Sequence, residues 1–389
     1  MQEKIKVGII GAGFIGPAHI ESLRRLGFVE VIALATSREE TARSKAKALS
    51  IPKAYGDYQD LIKDEEVEVV QITSPNYLHF PQAKAALEAG KHAVCDKPLT
   101  INSRESKILV ELARQKGVVN AVTFNHRFYP LVQQSRAMVQ QGSLGFLYLI
   151  QGGFHQDWLL YDTDYNWRVE SDKGGAVRAI GDIGTHWLDT VQFVTGLKVE
   201  AVFADLGTFM PVRKKPKAAV ETFAGKERKS IDYEEIPIDT EDCGIVLLRF
   251  VGVNTKGVMT VSQISAGKKC SLFYEIFGAT AALNWDSEKP NQLWIGYRDK
   301  PNEILAKDPA LMDPSAKKFA RYPGGHGEGF PDSHTQCNRT VYEYIREEKH
   351  KKGIAPDFPT FQTAHEEQLL CEAILESHRR KEWIEVHYS

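Results

Sequence analysis

Two polar side chains in the middle of the sequence have types and a spacing that suit proton transfer. Asp182 and His186 are four residues apart at the start of a helix predicted for residues 183–195, so they would lie on one helix face. Histidine has an ordinary pKa close to neutral and can take a proton from a hydroxyl group. Lys97 is a third candidate, because burial or a nearby cation can lower the pKa of a lysine enough to make it a base. Taken alone, the Asp–His spacing also fits a helix N-cap followed by an ordinary histidine.

A glycine-rich turn near the start of the sequence suits a second task, the binding of a diphosphate. An apolar strand over residues 5–10 leads into the turn, and a helix-compatible run over residues 17–26 follows it. In such a turn Gly11 allows the tight bend, Gly13 lets the backbone approach a pyrophosphate, and Gly16 lets the helix pack on the strand. This context predicts dinucleotide binding, with a glycine turn in an ordinary α/β protein as the alternative. A nicotinamide dinucleotide beside a base would oxidise a secondary alcohol, since a hydride leaves carbon as a proton leaves oxygen.

The end of the second predicted strand bears on which dinucleotide would bind. An NAD enzyme usually has an acidic residue there for the 2′-hydroxyl of the ribose, whereas a nearby arginine can accept the 2′-phosphate of NADP. Thr36 and Ser37 carry no acid, and Arg38 follows them. This position favours NADP, unless Arg38 is a solvated residue at the start of a helix.

The pattern of elements predicts two domains. Residues 1–124 alternate strands with helices, which is typical of a doubly wound parallel sheet, a Rossmann domain that binds dinucleotides. Residues 125–389 have several strands at hairpin spacing, which predicts an α+β domain with a large, mostly antiparallel open sheet for substrate binding and oligomerisation. Lys97, Pro75–Asn76 and Asn125 all follow predicted strands. Ligands bind beyond the carboxyl ends of parallel strands, so we expect these residues to meet in one crevice.

Composition argues against several classes of function. The chain has 389 residues and a formal net charge of -2, which gives no electrostatic case for nucleic acid or an acidic membrane surface. No apolar run approaches the roughly 20 residues of a membrane span, and no signal-peptide pattern is seen, so the expected location is the cytoplasm. The five cysteines form no CxxC pair, which argues against a disulfide framework and a zinc site. The basic stretch 211–230 is predicted to be a surface loop or an edge arm.

An aromatic-rich stretch offers a surface for a sugar ring, which has apolar CH faces and polar hydroxyls. Its aromatic and polar members are Trp158, Tyr161, Tyr165, Trp167, Gln156, Asp157 and Arg168. Ordinary use of these aromatic side chains in the core fits about equally well. His155 ends a predicted strand and is expected to face the same crevice. His326 and His334 have no third metal ligand at a suitable spacing, so we expect sugar contact or loop structure from them and no metal site.

Motifs spread over nearly the whole chain resemble those of the Gfo/Idh/MocA oxidoreductases, the glucose-fructose oxidoreductase and inositol dehydrogenase family. In chain order they are residues 7–13, 75–79, 86–92, the Asp96-Lys97-Pro98 tripeptide, Trp167-Arg168, residues 182–186 and the closing helix and strand over 373–386. The family usually has Glu-Lys-Pro where this chain has Asp-Lys-Pro, which shortens one side chain by a methylene group. Residues 239–299 and 322–330 look more narrowly like sugar and glycoside dehydrogenases, of the levoglucosan dehydrogenase and glycoside 3-dehydrogenase types.

The resemblance implies roles for individual residues. It implies that His186 is the base, that Lys97 binds and polarises the reacting hydroxyl and that Asp182 positions its partners; which of Lys97 and His186 takes the proton stays open. The cofactor is expected to be NAD or NADP, since such relatives favour NAD whereas Arg38 favours NADP. The expected cofactor-binding residues are Gly11, Gly13, Phe14, Ile15, Gly16, Thr36, Ser37, Arg38, Ser74, Pro75, Asn76, His79, Asp96, Lys97, Asn125, Trp167 and Arg168. The expected substrate-binding residues are Lys97, Arg127, His155, Gln156, Asp157, Trp158, Asp182, His186, His326 and His334.

The expected reaction is the NAD(P)-dependent oxidation of a secondary hydroxyl, at C3, of a pyranose, glycoside, anhydrosugar or cyclic polyol. Two alternatives stay open: a glycosidase that oxidises, eliminates and rehydrates with tightly held NAD, and a non-catalytic dinucleotide-binding sensor. The glycosidase would need a further base for the C2 proton, and a sensor would not need Lys97, Asp182 and His186. The resemblance also implies a homo-oligomer, a dimer or tetramer, that pairs through the open face of the second sheet.

Overall fold

The structure, a computed structural model, describes residues 4–217 and 232–388 and contains two large sheets. The first sheet has six parallel strands in the spatial order β3-β2-β1-β4-β5-β6. Its strands are β1 (Ile5–Ile10), β2 (Val29–Ala35), β3 (Lys53–Tyr55), β4 (Val69–Ile72), β5 (His92–Cys95) and β6 (Asn120–Val122). The helices between them are α1 (Ile15–Arg24), α2 (Glu39–Ala48), α3 (Tyr58–Lys63), α4 (Asn76–Glu88) and α5 (Ser103–Lys116). The predicted doubly wound parallel sheet is therefore confirmed.

The second sheet has nine strands in the order β16-β15-β14-β13-β7-β12-β11-β8-β17. Its strands are β7 (Leu147–His155), β8 (Val199–Gly207), β11 (Cys243–Phe250), β12 (Lys256–Ser262), β13 (Ser271–Gly278), β14 (Ala282–Asp286), β15 (Gln292–Gly296), β16 (Glu303–Ala306) and β17 (Ile384–Glu385). Neighbouring strands pair antiparallel, except that β7 and β12 are parallel. The large, mostly antiparallel sheet predicted for the second part of the chain is confirmed as well.

Helices cover one face of the second sheet, and side chains of β11 on the other face are exposed among the described residues. The remaining helices are α6 (Pro130–Gln140), α7 (Ser171–Gly174), α8 (Thr185–Thr195), α9 (Pro314–Lys317), α10 (Phe330–Arg346) and α11 (Phe361–Arg380). Side chains alternate along β11: Val246 and Leu248 are buried in the core beneath α6, α8 and α11, whereas Ile245 and Leu247 point away and are exposed. Short 3-10 turns span Asn125–Phe128, Trp167–Val169 and Lys349–Lys352.

Two late helices return to the first sheet and join the two halves of the molecule. The hydroxyl of Tyr342 in α10 donates to Oε1 of Gln71 in β4 at 2.9 Å, and Asn338 Nδ2 donates to Ser22 Oγ in α1 at 2.6 Å. Phe361 in α11 belongs to the core of the first sheet. A domain boundary at residues 124 and 125 therefore stays a prediction, drawn where the chain passes from the first sheet to the second.

The basic stretch 211–230 is only partly described. Residues Val212–Pro216 form a strand, β9, which pairs antiparallel with β10 (Tyr233–Pro237) in a separate two-stranded sheet. This part is a hairpin arm rather than a surface loop, and residues 218–231 lie outside the described part of the chain. No helix formed by the described residues combines the length and apolar character that a membrane span requires.

Candidate active site

The glycine turn borders a cavity of about 640 Å³ at the carboxyl ends of the parallel strands, here called the glycine-turn cavity. Gly11 has a φ of 99°, and a Cβ there would come within 2.8 Å of the backbone of Thr73 and Ser74. A Cβ on Gly16 would lie 2.7 Å from the carbonyl oxygen of Gly11. A Cβ on Gly13, in contrast, would have no atom within 4 Å. Two of the glycines are thus required by the turn itself, and the backbone at Gly13 is left open for a diphosphate to approach.

Most of the predicted cofactor-binding residues line the glycine-turn cavity or a second cavity beside it. Those that line the glycine-turn cavity are Gly11, Gly13, Phe14, Ile15, Thr36, Ser37, Ser74, Pro75, Asn76, Asp96, Trp167 and Arg168. Helix α1 begins at Ile15, so its positive N-terminal end lies at this cavity. Lys97 and Asn125 line a second cavity that shares Phe14, Ile15, Asp96 and Arg168 with the first. The shared lining makes the two cavities neighbours, as a cofactor with a reactive end requires.

Three predicted cofactor-binding residues do not line either cavity. Gly16 is buried in α1 against the glycine turn. Arg38 precedes α2 with an exposed side chain that lines neither of these two cavities, so the structure does not place it at the predicted phosphate position. His79 is buried behind the cavity wall, and its ring nitrogens lie 2.7 Å from the carbonyl oxygens of Ser74 and Pro98.

The sequence analysis did not identify Thr41 and Lys45, although both line the glycine-turn cavity from α2. Lys45 Nζ donates to the carbonyl oxygen of Ala12 at 2.5 Å and so ties α2 to the glycine turn. The two residues are four apart and share one helix face, which is a signal that helical periodicity could have supplied. Asp57 and Tyr58, at the start of α3, complete this side of the cavity.

Lys97, Asp182 and His186 line the second cavity, of about 460 Å³, here called the Lys97 cavity. Lys97 follows β5, and its ammonium group donates to the carbonyl oxygen of Asp182 at 2.5 Å and to Asp182 Oδ1 at 2.8 Å. Gln263 Nε2 donates to the other carboxylate oxygen at 2.8 Å, and Arg168 Nε lies 3.4 Å from Oδ1. The three predicted catalytic side chains are therefore neighbours in space, although 85 residues separate Lys97 from Asp182.

The backbone around Asp182 differs from the helix start that the sequence predicts. Residues Ile180–Gly184 form a π-helical turn that continues into α8, which begins at Thr185. The carboxylate of Asp182 bonds to Lys97 and Gln263 and does not cap a helix, so the N-cap alternative is not what the structure shows. π-helical turns within helices occur often at functional sites, because they re-aim one side chain without ending the helix.

A buried carboxylate and a buried ion network hold this turn. Glu241, whose side chain is buried, accepts hydrogen bonds from the backbone N–H of Arg178 at 2.9 Å and of Ile180 at 2.8 Å. The guanidinium of Arg178 bonds to Asp242, and Arg213 Nη2 donates to the same carboxylate at 2.8 Å. Arg213 also donates to the carbonyl oxygens of residues 159, 161 and 164. One network therefore fixes both the turn that carries Asp182 and the aromatic-rich stretch.

Electrostatics favour an ionised carboxylate and neutral imidazoles in the Lys97 cavity. Burial acts to raise the pKa of Asp182, but the charges of Lys97 and Arg168 outweigh it and hold that pKa below its ordinary value. Burial and then the charge of Lys97 lower the pKa of His186 well below 6.5. The same causes lower the pKa of His126 to about 3, and burial lowers the pKa of His334 to about 3. At neutral pH these imidazoles hold no charge, and each has one bare ring nitrogen that can accept a hydrogen bond.

Asp96, in the position where the family usually has glutamate, lies between the two cavities. Thr123 Oγ1 donates to its Oδ1 at 2.7 Å, and Nε2 of His19 lies 3.7 Å from the same oxygen. Burial acts to raise the pKa of Asp96, but contacts with His19 and the charge of Lys97 outweigh it and lower that pKa below the ordinary value. The carboxylate therefore stays ionised beside Lys97.

The predicted substrate-binding residues divide into those that line the Lys97 cavity and those that do not. Gln156, Trp158 and His334 line it, and Trp158 Nε1 donates to Gln156 Oε1 at 3.0 Å. The aromatic and polar residues that line it without having been predicted are Thr123, His126, Tyr129, Phe154, Lys269, Cys270, Ser287, Glu288 and Phe330. Apolar rings with a few polar groups are the lining expected of a sugar-sized pocket.

Four predicted substrate-binding residues lie elsewhere. Arg127 turns away into an ion pair with Asp189. His155 occupies the other face of β7 from Phe154 and contacts Thr260 Oγ1 at 2.9 Å, because successive strand residues point to opposite faces.

The other two, Asp157 and His326, do not line the Lys97 cavity either. Asp157 pairs with Lys269 and accepts from the backbone N–H of Gly267. His326 is exposed in the glycine-rich loop before α10. Within residues 4–217 and 232–388, no group of three or more His, Cys, Asp or Glu side chains is arranged to hold a metal ion.

Family models match both parts of the chain. Residues 5–124 match the family described as "Oxidoreductase family, NAD-binding Rossmann fold", and residues 132–284 match the "GFO/IDH/MocA C-terminal domain". The chain therefore belongs to the Gfo/Idh/MocA oxidoreductases, and the resemblance in its motifs is confirmed. It is an NAD-binding oxidoreductase of that family.

Individual relatives extend over the whole length of the chain. The levoglucosan dehydrogenase of Pseudarthrobacter phenanthrenivorans is 27% identical, covering 99% of this chain and 98% of its own. Solved structures of a levoglucosan dehydrogenase with NADH and levoglucosan, and with NADH and L-sorbose, are each 25% identical, with TM-scores of 0.86 and 0.88. Each covers 99% of this chain and 100% of the solved one. An NAD binding oxidoreductase from Klebsiella pneumoniae is 29% identical with a TM-score of 0.84, covering 99% of both chains.

Proposed function

We propose that this protein is a dehydrogenase that oxidises a secondary hydroxyl, at C3, of a pyranose, glycoside, anhydrosugar or cyclic polyol. The observation that carries the proposal is the contact of Lys97 with Asp182 in a cavity that His186 also lines and that adjoins the glycine turn. A dinucleotide on the glycine turn would reach this cavity, because the two cavities share lining residues.

The fit of a nicotinamide dinucleotide rests on the glycine turn and its neighbours. The open backbone at Gly13 and the N-terminus of α1 suit the pyrophosphate, and Arg168, which lines both cavities, supplies a positive charge between them. When bound, the cofactor supplies the acceptor for the hydride.

The remaining steps belong to side chains of the Lys97 cavity. The ammonium group of Lys97, anchored by Asp182, donates a hydrogen bond to the substrate oxygen and stabilises the negative charge that develops on it. In this proposal His186 is the base: its imidazole is neutral and takes the hydroxyl proton, although the lowered pKa makes it a weaker base than an ordinary histidine. Asp182 holds Lys97 in place through two hydrogen bonds, one from its carboxylate and one from its carbonyl group.

The sugar-like substrate class is supported by the lining of the Lys97 cavity. The rings of Trp158, Phe154 and Phe330 are suited to the apolar faces of a pyranose, and Gln156 and Glu288 offer polar partners for its hydroxyls. The levoglucosan and L-sorbose complexes of the solved relatives support the same class.

NAD is the cofactor we propose, because the family model describes an NAD-binding fold and the solved relatives hold NADH. NADP is the second candidate, since Thr36 and Ser37 stand where an NAD enzyme usually has an acidic residue. Lys45, which lines the glycine-turn cavity, also carries a positive charge that would attract a 2′-phosphate. Asp57, which lines the same cavity, would repel a 2′-phosphate. Comparison of KM for the two cofactors in the wild type, in Lys45→Met and in Asp57→Asn decides between them.

A screen of substrates tests the proposed reaction. Glucose, levoglucosan, inositols and aryl glucosides are each incubated with NAD and with NADP, and the reduced cofactor is followed by its absorbance. We expect turnover with at least one cyclic polyol and a 3-keto product identified by NMR spectroscopy. Failure of every polyol with both cofactors would refute the proposal, and a product oxidised at another carbon would refute the C3 assignment.

We also propose that the protein forms a homo-oligomer through the open face of the second sheet. Ile245 and Leu247 are 54% and 40% exposed on that face, which is the apolar exposure expected of a buried interface. Light scattering would measure the mass of the wild type and of Ile245→Lys in solution, and a wild type that is a monomer would contradict this assignment.

A further inference from the structure

His126 contacts the proposed base but has no role in the reaction as derived so far. Its Nδ1 lies 3.2 Å from Nδ1 of His186, and the two residues are 2% and 7% exposed. His126 comes from the 3-10 turn Asn125–Phe128, whereas His186 comes from the first turn of α8. Since Nδ1 of His186 is taken up by this contact, Nε2 is the nitrogen left to meet the substrate in the cavity.

The contact between the two imidazoles is a hydrogen bond that shares one proton. The rings of Tyr129 and Phe154 lie against His126, with centroids 5.8 and 5.5 Å away, and this apolar environment keeps the imidazole neutral. His186 is neutral as well. A neutral imidazole has one N–H and one lone pair, so two Nδ1 atoms at this distance attract each other only when one of them carries the proton and the other accepts.

Two arrangements satisfy this condition, and they differ in the nitrogen that faces the substrate. If Nδ1 of His186 carries the proton, its Nε2 has a lone pair and can act as a base. If Nδ1 of His126 carries the proton instead, Nε2 of His186 carries a hydrogen and cannot take another without becoming a cation. The partner at Nδ1 of a catalytic histidine commonly decides this choice.

We propose that His126 is a positioning residue that accepts the Nδ1–H of His186 and so keeps the Nε2 lone pair of His186 directed at the substrate hydroxyl. The inference rests on the proposed function, because it gives a partner to the base of that reaction. The hydroxyl proton then passes to Nε2 of His186, while Nδ1–H stays bonded to His126 and stabilises the imidazolium that forms.

The ion pair next to the two histidines fixes their relative position. Arg127, which follows His126, donates from Nε to Oδ2 of Asp189 at 2.7 Å, and Asp189 lies three residues after His186 in α8. The pair locks the 3-10 turn onto the helix, so the two rings are held at hydrogen-bond distance. This arrangement also gives Arg127 a role other than the substrate contact that the sequence predicts.

One ring nitrogen of His126 has no hydrogen-bond partner within the part of the chain that the structure describes. Nε2 of His126 is buried and has no hydrogen-bond partner among the described residues, although His126 lines the Lys97 cavity. With the proton of His186 on Nδ1, the Nε2 of His126 carries a hydrogen that needs an acceptor. An oxygen of a polyol in the Lys97 cavity is the acceptor we expect for this hydrogen.

The tautomer of His186 can be read directly in the protein without cofactor or substrate. Selective ¹⁵N labelling of histidine, with assignment through His186→Asn, separates protonated from bare ring nitrogens by their chemical shifts. We expect a protonated Nδ1 and a bare Nε2 at neutral pH. A protonated Nε2 on His186 in the wild type would overturn the proposal. Because this readout needs no turnover, it decides the proposal even if the screen finds no dehydrogenase activity.

Two variants of His126 separate the contact from a packing role. His126→Asn keeps a hydrogen-bonding group near the position of Nδ1, whereas His126→Gln keeps one near Nε2 and places its amide carbon, which cannot form a hydrogen bond, where Nδ1 was. We expect His126→Gln to lower kcat by about 10- to 100-fold with KM little changed, and His126→Asn to stay within a few-fold of the wild type. Equal kcat values in the two folded variants, as judged by circular dichroism, would overturn the proposal.

Discussion

Lys97 is the residue on which the proposed chemistry depends most directly. We expect Lys97→Ala to lower kcat/KM by about 1000-fold, because the substrate oxygen loses the group that stabilises its developing charge. Dinucleotide binding, measured by isothermal titration calorimetry, should persist, since the glycine turn is untouched. Lys84→Ala, which removes an exposed partner of Glu88, is the matched control and should leave turnover unchanged. A Lys97→Ala protein with near wild-type turnover would remove Lys97 from the mechanism.

The buried histidines make the fold sensitive to acid. His126 and His334 have pKa values of about 3 in the fold and near 6.5 in the unfolded chain, and the groups facing them include Lys97, His19, His186 and Asp96. Below pH 6.5 the unfolded chain therefore binds protons that the folded chain excludes, so the free energy of unfolding falls as the pH falls. At pH 5, the exclusion of a proton from each of these two histidines lowers the free energy of unfolding by roughly 2 kcal/mol.

Removal of one such histidine should weaken this pH dependence. Urea titrations at pH 7.5 and pH 5 measure the loss of unfolding free energy, and that loss should be smaller in His334→Gln than in the wild type. His326→Gln, at an exposed position, serves as the control and should show the wild-type loss. An equal loss in all three proteins would mean that His334 is not held neutral by the fold.

Motif spacing identified Lys97, Asp182 and His186, because a family motif fixes both residue type and neighbours. It did not identify His126, since nothing local in residues 125–128 says which of two adjacent side chains will face the cavity. His126 faces it, whereas Arg127, which the sequence predicted to contact substrate, turns to Asp189. A 3-10 turn rotates successive side chains by about a third of a circle, so adjacent residues diverge.

At the scale of elements, the π-helical turn before α8 depends on the buried carboxylate of Asp242. That carboxylate bonds to Arg178 and Arg213 and accepts from the backbone N–H groups of Phe209 and Met210 at 2.7 and 3.0 Å. Asp242→Asn leaves two buried guanidinium groups without their counter-ion. We expect a loss of about 3–5 kcal/mol in the free energy of unfolding, measured by denaturant titration.

An exposed ion pair of the same type supplies the comparison for Asp242. Asp162 pairs with Lys214 at 2.7 Å, with both side chains largely in solvent. Asp162→Asn should cost less than about 1 kcal/mol, because water screens the pair and solvates the remaining lysine. Similar losses in the two variants would show that the Asp242 network does not hold the fold.

The elements themselves were predictable where their hydrophobic pattern is long. The strands β1, β2 and β4 are apolar runs with helical segments between them, and the alternation along β11 gives a half-buried strand. The sequence did not predict β3, because its three residues are too few to show a hydrophobic periodicity. The π-helical turn escaped because its periodicity is nearly that of the α-helix that follows.

At the scale of the whole molecule, the return of α10 and α11 to the first sheet could not be predicted from local pattern. The hydrogen bond from Tyr342 to Gln71 joins residues 271 positions apart, and local periodicity in the sequence cannot predict a contact between residues so far apart. The consequence for function is that both cavities have walls from both parts of the chain. Trp167 and Arg168 line the glycine-turn cavity, although they follow the first sheet in sequence.

A ligand that contacts both parts should stabilise the molecule as a unit, and Gly13 allows a test that separates binding from folding. NAD at about 100 times its Kd should raise the free energy of unfolding of the wild type by about 2.7 kcal/mol, measured by denaturant titration with and without the cofactor. In Gly13→Ala the added methyl group meets no protein atom within 4 Å, and the φ of Gly13 is not positive, so the unliganded protein should keep its stability. The same methyl group occupies the space for the pyrophosphate, so at the same NAD concentration the gain should shrink.

Gly11→Ala is the comparison variant. Its methyl group would lie 2.8 Å from the backbone of Thr73, and the φ of 99° at this position is one that alanine rarely adopts. That variant should lose stability before any ligand is added. A Gly13→Ala protein that gains as much from NAD as the wild type would mean that the diphosphate does not lie against the glycine turn. The neighbouring Lys97 cavity would then lack the cofactor that the proposed oxidation requires.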